Sequence, residues 1–453
     1  MKIVAYYRVS TQKQARSGLG LEAQRDAVER LARARGGRII AEFTEAESGK
    51  SDANRPELHK ALHRAKVSGA VLGIALAIKM VAYVGVAPIV GAFASRFPRR
   101  GFLVGADLVR FLAVLSLPFV AEIWQVYVLI FVLQSASAAF TPTFQATIPD
   151  VLEDERDYTN ALSLSRLAYD LEALLSPVLA AALLGVVTFD WLFAATALGF
   201  LLSAALVRSV SLPSPHARVE AREAGWWAQT TRGARIYLAT PRLRGLLALT
   251  VAVSASGAMV IVNTVVYVRE ILGRSEGAVA LALAAFGLGS MVVALALPRL
   301  LDRQRGAGDT ERRLMLAGGV IATLGLAAGT ALAAEGASYP LLLVLWALLG
   351  AGGSLILTPT GRLLRRSATP ADRPALFAAQ FSLSHASWLV AYPLAGSVGA
   401  VAGLPAAFVT LAVLAGAGTA AAVLVWPGGG SEVSGHAPGE PSGAGHARVA
   451  PGA

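Results

Sequence analysis

The sequence contains no cysteine among its 453 residues, and charged residues make up only 15% of it. The missing thiols exclude disulfide-stapled scaffolds, thiolate metal sites and thiol catalysis. A soluble domain carries about 25% charged residues, because its surface faces water. Hydrophobic residues supply 55% of this chain instead. These values favour a polytopic membrane protein and exclude a coiled coil or a fully disordered chain.

A net charge of +11 accompanies this apolar composition. Nucleic-acid binding is one source of such a charge, but arginines in short cytoplasmic loops are the commoner source in a membrane protein. Residues 1–66 carry 14 Lys/Arg and 8 Asp/Glu, whereas residues 67–426 alternate long apolar segments with short polar ones. Residues 427–453 are rich in Gly, Pro, Ser and Ala, so we expect a disordered tail there.

Eleven apolar segments in the central part are long enough to be membrane spans, each of which needs about 20 residues. Lys and Arg number 18 in one alternating set of loops and 2 in the other, which places the first set in the cytoplasm. The longest loop, 213–244, separates an N-terminal bundle (67–212) from a C-terminal bundle of six segments (245–426). The predicted spans are 70–94, 102–120, 126–148, 161–187, 191–212, 245–268, 278–301, 315–335, 341–360, 375–398 and 405–426.

A basic motif recurs at equivalent places in the two bundles. Residues 91–100 read GAFASRFPRR, and residues 298–305 read PRLLDRQR after the second segment of the C-terminal bundle. The first copy resembles the G-x-x-x-D-R-x-G-R-R motif of major facilitator superfamily transporters, with Ser95 in place of the usual Asp and Pro98 in place of the second Gly. The resemblance assigns a cytoplasmic-loop role to Gly91, Arg96, Arg99, Arg100, Asp302 and Arg303.

This resemblance implies an all-α polytopic membrane protein with two bundles and about 11 transmembrane helices, the first of the family's twelve being absent. The stretches 141–149 and 378–382 also resemble the efflux-type branch of the superfamily. The expected function is secondary active transport, with proton-coupled efflux of a small amphipathic molecule as the default. We expect a monomer in the cytoplasmic membrane. Its partners would be the lipid bilayer, a small-molecule substrate and protons, without nucleic acid, a cofactor or a metal.

Ionisable residues inside apolar segments are costly in a membrane and usually face a cavity or a partner. Arg166 and Asp170 stand four residues apart and share one helix face, whereas Glu172 points elsewhere. Either carboxylate could couple transport to protons or bind a cation, with Arg166 tuning its pKa. The alternative is a structural ion pair near the cytoplasmic end of the segment.

Three further residues, Asp107, Arg110 and His385, are candidates for transport or coupling. Asp107 and Arg110 are three residues apart, and a brace for the adjacent basic loop is the simpler explanation of that pair. His385 lies in a polar stripe with Gln380 and Ser382, where a hydrogen-bonded core histidine is commoner than a proton relay.

The first 66 residues resemble part of a different family, the serine recombinases of the resolvase/invertase type. The elements that carry this resemblance are a strand at 3–10 that ends in Arg8-Val9-Ser10, a helix at about 21–35, a strand at 38–43, ESGK at 47–50 and RPEL at 55–58. In that family a serine at the end of the first strand attacks a DNA phosphodiester, and arginines stabilise the charged transition state. The resemblance therefore implies Ser10 as the nucleophile, with Arg8 and Arg55 as phosphate-binding residues.

The recombinase pattern does not continue beyond residue 66. The family's L-D-R-L-S-R motif, oligomerisation helix and DNA-binding domain do not follow, and the chain enters the first apolar segment instead. We therefore expect a gene fusion in which residues 1–66 are a truncated fragment and the protein is not an enzyme. The alternative function is a serine recombinase remnant or an inactive fusion product. A first segment that spans would also leave residues 1–66 outside the cell, against the positive-inside bias.

Overall fold

The structure, a computed structural model, describes residues 2–9, 25–26, 28–30, 32–33, 38–46, 78–93, 97–184, 187, 189–213, 226–302, 307–334, 338–426 and 428. Near the N-terminus, β1 (Lys2–Val9) and β2 (Arg38–Ala46) pair in parallel, with Tyr6 opposite Phe43. The described residues between 25 and 33 are helical. A parallel strand pair joined through a helix is the beginning of an α/β domain, so the predicted partial α/β fragment is confirmed.

Helices dominate the described chain beyond these strands. Apolar segments form helices in a membrane because the bilayer offers no water to hydrogen-bond the backbone. The N-terminal bundle consists of α1 (Ile78–Ala92, with a π-helical turn at Ala82–Val86), α2 (Arg99–Ser116), α3 (Ile123–Val151), α4 (Glu155–Leu184) and α5 (Phe189–Ser209). The region between the bundles contains two short helices, α6 (Trp226–Thr230) and α7 (Arg232–Ala239).

The C-terminal bundle begins at a proline, which suits the first position of a helix because its missing N–H would have no partner there. Its helices are α8 (Pro241–Val265, continued by a π-helical turn at Val266–Ile271), α9 (Glu276–Asp302), α10 (Ala307–Ala334), α11 (Tyr339–Leu357), α12 (Thr360–Ser367) and α13 (Arg373–Val425).

Helix α13 is two spans joined at Gly403. Its 53 residues would reach about 80 Å as one straight helix, far more than a bilayer core of about 30 Å. Gly403 has a φ of 84°, in the left-handed region that favours glycine, and the chain turns back there. Pro405 follows and begins the second half at an acceptable position for proline.

Eight helices in the described part of the chain are long and apolar enough to cross a membrane. Together with α1, α4 and the second half of α13, they coincide with the eleven predicted segments. The predicted all-α polytopic fold is therefore confirmed.

Glycines bring the helices of the C-terminal bundle into backbone contact. A Cβ on Gly350 of α11 would overlap the carbonyl of Phe286 on α9, and one on Gly289 of α9 would overlap the carbonyl of Ala347. Close approach of this kind replaces the hydrophobic driving force that a lipid environment lacks. An aromatic core of Tyr267, Trp346 and Phe408 fills the space between these helices and α13.

The two bundles meet along a small number of helix pairs. Helix α4 packs on α9 and α12, whereas α1 and α3 both pack on α13. These contacts include ion pairs and hydrogen bonds between the bundles, such as those of Arg362 with Glu155 and of Arg166 with Ser290. The contact between the bundles is therefore where a functional site is to be sought.

Replacing Gly350 with alanine should destabilise the C-terminal bundle by about 1–3 kcal/mol, because the methyl group has no room against Phe286. Gly353→Ala is the matched control, since a Cβ on Gly353 meets nothing within 4 Å. Both substitutions raise the helix propensity of α11 equally. Thermal unfolding of the purified protein in detergent measures both. Equal midpoints for the two variants would contradict the tight α9–α11 contact.

Candidate functional site

A buried carboxylate at the end of α3 links the two bundles. Asp150 pairs through Oδ2 with Arg99 Nη2 at 2.6 Å, and its Oδ1 accepts a hydrogen bond from Arg373 Nη1 at the start of α13. The side chains of Arg99 and Asp150 are each only 4% exposed. Arg99 was expected in the basic loop motif, and through Asp150 it lies at the contact between the bundles. Asp150 and Arg373 were not anticipated.

A second charged cluster lies at the same end of the molecule. Arg362 of α12 donates from Nη2 to Glu155 at 2.8 Å and from Nε to Glu311 at 2.8 Å. Its third donor, Nη1, reaches Thr159 Oγ1 at 2.7 Å. Arg366, one turn further along α12, also pairs with Glu155 and Glu311. We call the two groups together the charge clamp, formed by Arg99, Asp150, Glu155, Thr159, Glu311, Arg362, Arg366 and Arg373.

The charge clamp gathers residues from the loops that the sequence assigns to the cytoplasm. Tyr158 lies beside the clamp residues, and the guanidinium of Arg365 lies 5.2 Å from the centre of the Tyr158 ring. Burial raises the pKa of Tyr158 above its ordinary value, so the phenol stays neutral beside the arginines. The clamp closes this end of the contact between the bundles.

A cavity of about 110 Å³ lies next to the charge clamp, between the two bundles. Gln145, Ser165 and Tyr169 line it from the N-terminal bundle, and Thr360 and Gln380 line it from the C-terminal bundle. Aromatic and aliphatic side chains complete the wall, and none of the described lining residues is charged. The cavity therefore offers hydrogen-bonding groups and apolar surface, which suits an uncharged part of an amphipathic ligand.

The predicted pair on α4 is formed. Arg166 Nη2 lies 2.9 Å from Asp170 Oδ1, as their spacing on one helix face implied. Arg166 also donates from Nε to Ser290 Oγ of α9 at 3.0 Å, so the pair reaches the other bundle. The second oxygen of Asp170 is buried without a hydrogen-bond partner in the described chain. Glu172 is exposed and belongs to neither contact.

In the described part of the chain, the contacts of the pair Asp107–Arg110 lie within the N-terminal bundle and not at the basic loop. Arg110 donates to Asp107, whose other oxygen accepts from Ser203 of α5 at 2.8 Å. The guanidinium of Arg110 also lies between two rings, 4.1 Å from the centre of Phe140 and 4.7 Å from that of Phe200. Cation–π contacts and a buried carboxylate thus satisfy the charge of Arg110 within the N-terminal bundle, whereas we expected the pair at the basic loop.

His385 is hydrogen-bonded to its own helix, as the commoner reading of a core histidine implied. Its Nδ1 is 2.7 Å from the carbonyl oxygen of Phe381. The ring contacts Tyr83 of α1 edge-on, with centroids 4.8 Å apart. Ser382 donates to the carbonyl of Val84 at 2.6 Å. His385 thus lies at the α1–α13 contact, and its proposed role in coupling has no acidic partner among these contacts.

Gly91 and Arg100 of the loop motif have structural roles. A Cβ on Gly91 would overlap that of Ala378, so glycine permits α1 to approach α13. Arg100 donates to the carbonyl oxygen of Val210 at 2.8 Å, beyond the end of α5.

For several predicted residues the structure describes no side chain. Ser10, Arg55, Arg96 and Arg303 lie outside the described residues, and the side chains of Arg8 and Asp302 are likewise not described.

Residues 53–309 and 247–451 match the family model of the Major Facilitator Superfamily. The chain belongs to this superfamily. Residues 3–75 separately match the model "Resolvase, N terminal domain", and the two matches overlap over residues 53–75. The predicted combination of a major facilitator transporter with an N-terminal recombinase-like segment is therefore confirmed.

Among curated relatives, Macrolide efflux protein A of Streptococcus pyogenes is 25% identical over 185 residues, covering 40% of this chain and 45% of that protein. The uncharacterized MFS-type transporter YfiS of Bacillus subtilis is 27% identical over 146 residues, covering 32% and 34%. The chain thus spans less than half the length of each of these relatives.

Solved structures agree on the fold. The human organic anion transporter MFSD10 superposes with a TM-score of 0.64 at 15% identity, over 77% of this chain and 82% of that one. The E. coli fucose:proton symporter FucP, solved in the outward conformation, gives 0.60 at 16% identity, over 78% and 89%. Identities this low support the major facilitator fold alone.

Replacing Asp150 with asparagine should weaken the charge clamp, because it leaves two buried guanidinium groups without their shared anion. A single cysteine introduced at Ser165 in the cavity should then react with a polar maleimide about tenfold faster or more from the cytoplasmic side, a factor that corresponds to ~1.4 kcal/mol. The natural chain has no cysteine, so this thiol is the one that reacts.

Asp154→Asn provides the matched control for Asp150→Asn. Asp154 caps α4 through the backbone N–H groups of Arg156 and Asp157, a role that asparagine also fills. Labelling at the same rate in all three proteins would contradict the role given to Asp150.

Proposed function

We propose that this protein is a proton-coupled exporter of small amphipathic molecules, acting as a monomer in the cytoplasmic membrane. The observation that carries the proposal is the uncharged cavity lined from both bundles and closed at one end by the charge clamp. A cavity shared by two bundles can be exposed to one side of the membrane at a time, if the bundles rock about it.

The charge clamp is suited to open and close repeatedly. Removing charges from water costs free energy that the attraction between them only partly repays, so a buried ion pair contributes little net stability. Ion pairs of this kind hold the two bundles in a defined relative position without binding them irreversibly. Export then requires a state in which the clamp opens and a substrate reaches the cavity from the cytoplasm.

Asp170 is the group best suited to couple this motion to protons. One of its oxygens pairs with Arg166, and Arg166 in turn donates to Ser290 of the opposite bundle. A proton added to the free carboxylate oxygen would remove the charge that holds Arg166. Protonation at Asp170 would thereby weaken a contact between the bundles. Glu172 is exposed and has less support as the coupling group.

The chemical class of the substrate follows from the cavity wall and from the relatives. Amide and hydroxyl groups line the cavity together with aromatic and aliphatic side chains, so its volume of about 110 Å³ suits one part of a ligand with polar groups on an apolar frame. Macrolide efflux proteins are similar over part of the chain. We therefore propose efflux of macrolide-like molecules as the first activity to examine.

The recombinase-like segment supplies the alternative function, that of a remnant or inactive fusion product. The parallel pairing of β1 with β2 is the observation that favours it. We propose no reaction for this segment, since strands one and two of a parallel sheet need neighbours on both sides to be buried. Nucleic acid is accordingly not proposed as a partner.

Asp170→Asn should reduce proton-driven accumulation of a macrolide such as erythromycin in everted membrane vesicles by about tenfold or more, a factor equivalent to ~1.4 kcal/mol. Passive equilibration of the drug should persist, because the cavity itself is unchanged. Glu172→Gln is the control, as it removes the same charge from an exposed position two residues away.

Loss of accumulation in Glu172→Gln with retention in Asp170→Asn would reverse the assignment of the coupling residue. No proton-driven accumulation by the unmodified chain, with macrolides and lipophilic cations both tried, would refute the transport proposal and support the inactive fusion.

Ser10→Ala should leave transport unchanged. It should also make no difference to DNA cleavage, since we expect the unmodified protein to cleave no DNA. Incubation of the purified full chain with supercoiled DNA, followed by protease treatment and electrophoresis, measures strand cleavage. A cleavage product that requires Ser10 would establish recombinase chemistry and overturn the assignment of residues 1–66 as inactive.

A further inference from the structure

The linker helix α7 is docked against the first half of α13. Arg232 Nε lies 2.8 Å from Asp372 Oδ1, just before α13 begins. Asp372 is held in place by Thr369, whose hydroxyl donates to its other oxygen at 2.9 Å. Helix α6, which directly precedes α7, contacts α1 of the N-terminal bundle. The linker therefore touches both bundles.

Gly233 lets α7 approach the backbone of α13. A Cβ at this position would overlap the carbonyl group of Ala375. Any larger residue would force the two helices apart. Contact through Gly233 thus fixes the distance and the rotation of α7, and with them the position of every side chain on the same face.

Tyr237, one turn further along α7, uses this fixed position to reach the cavity wall. It is fully buried, and its hydroxyl donates a hydrogen bond to Oε1 of Gln380. Burial raises the pKa of Tyr237, so the phenol keeps its proton throughout the physiological range and remains a donor. Gln380 is one of the two amides that line the cavity.

A glutamine amide has an accepting end and a donating end, and it can rotate to exchange them. When Tyr237 donates to the oxygen, the NH₂ group of Gln380 is the end left free for other partners. The cavity then offers a donor from the C-terminal bundle in addition to the amide of Gln145 from the N-terminal bundle. A substrate group that accepts hydrogen bonds, such as a carbonyl or ether oxygen, is favoured by this orientation.

We propose that Tyr237 is a positioning residue of the transporter: it holds the Gln380 amide with its donor free for the cavity, so that the linker helps to select substrates with hydrogen-bond acceptors. This inference rests on the proposed transport function for its substrate. The contact between Tyr237 and Gln380 can be examined without any substrate.

A double-mutant cycle in the full chain tests the contact first. Tyr237→Phe, Gln380→Leu and the double variant should each show about fivefold faster hydrogen–deuterium exchange of the amides in α7, the effect of one lost hydrogen bond. The double variant should be no faster than either single one, because both remove the same contact. Tyr267→Phe is the matched control, since the Tyr267 hydroxyl is buried without a hydrogen-bond partner in the described chain. The proposal would be overturned if the accelerations of the two single variants multiplied in the double variant. It would also be overturned if neither single variant changed the exchange rate of the α7 amides.

Substrate selection provides the second measurement. In reconstituted vesicles, Tyr237→Phe should raise the KM for erythromycin, which is rich in carbonyl and ether acceptors, by about fivefold while leaving its maximal rate unchanged. Ethidium, a cation without such acceptors, should show no change in KM. Gly233→Ala should give the same pattern from outside the cavity by displacing α7, with Gly353→Ala as its control.

Equal effects on both probes, or an effect on the maximal rate alone, would contradict a role in positioning Gln380. If the unmodified chain transports neither probe, the proposed function fails. The exchange measurement still decides whether Tyr237 holds Gln380.

Discussion

The shared use of one carboxylate by two arginines underlies the arrangement of the two bundles. Asp150 forms an ion pair with Arg99 of its own bundle and accepts a hydrogen bond from Arg373 of the other, with its side chain almost completely buried. Neither guanidinium could remain in this low-dielectric position without the anion. The start of α13 is thereby fixed against the end of α3, and α13 carries both Gln380 and His385. The closed end of the cavity follows from this placement.

Contacts inside the C-terminal bundle differ in kind from contacts between the two bundles. Inside the C-terminal bundle, glycines such as Gly289 and Gly350 put backbone against backbone, and such contacts are lost if helices separate even slightly. Between the bundles, ion pairs and hydrogen bonds are added to close contacts such as that of Gly91 with Ala378, and water can replace the polar contacts at small net cost. Rigid bundles with an exchangeable contact between them are the physical requirement for rocking about a central cavity.

The sequence predicts best what depends on one helix at a time. Hydropathy predicts the spans, and a spacing of four residues predicts the pair Arg166–Asp170. The orientation assigned from the loop arginines stays a prediction. Contacts between distant segments are different, because they depend on how each helix is rotated about its axis. Neither the Asp150–Arg373 pair nor the link from Tyr237 to Gln380 has a sequence pattern of its own, since the partners lie far apart in the chain.

The turn at Gly403 has a mechanical consequence. It joins the two halves of α13 without a flexible loop, and the second half is locked into the bundle core through Phe408 and, at its end, through Trp426, whose carbonyl accepts from Arg312 at 3.1 Å. The first half is tied to the same bundle, because Asn263 of α8 donates to the carbonyl of Ala395 at 3.1 Å. We therefore expect Arg373 and Gln380 to move together with the C-terminal bundle and not with a single helix.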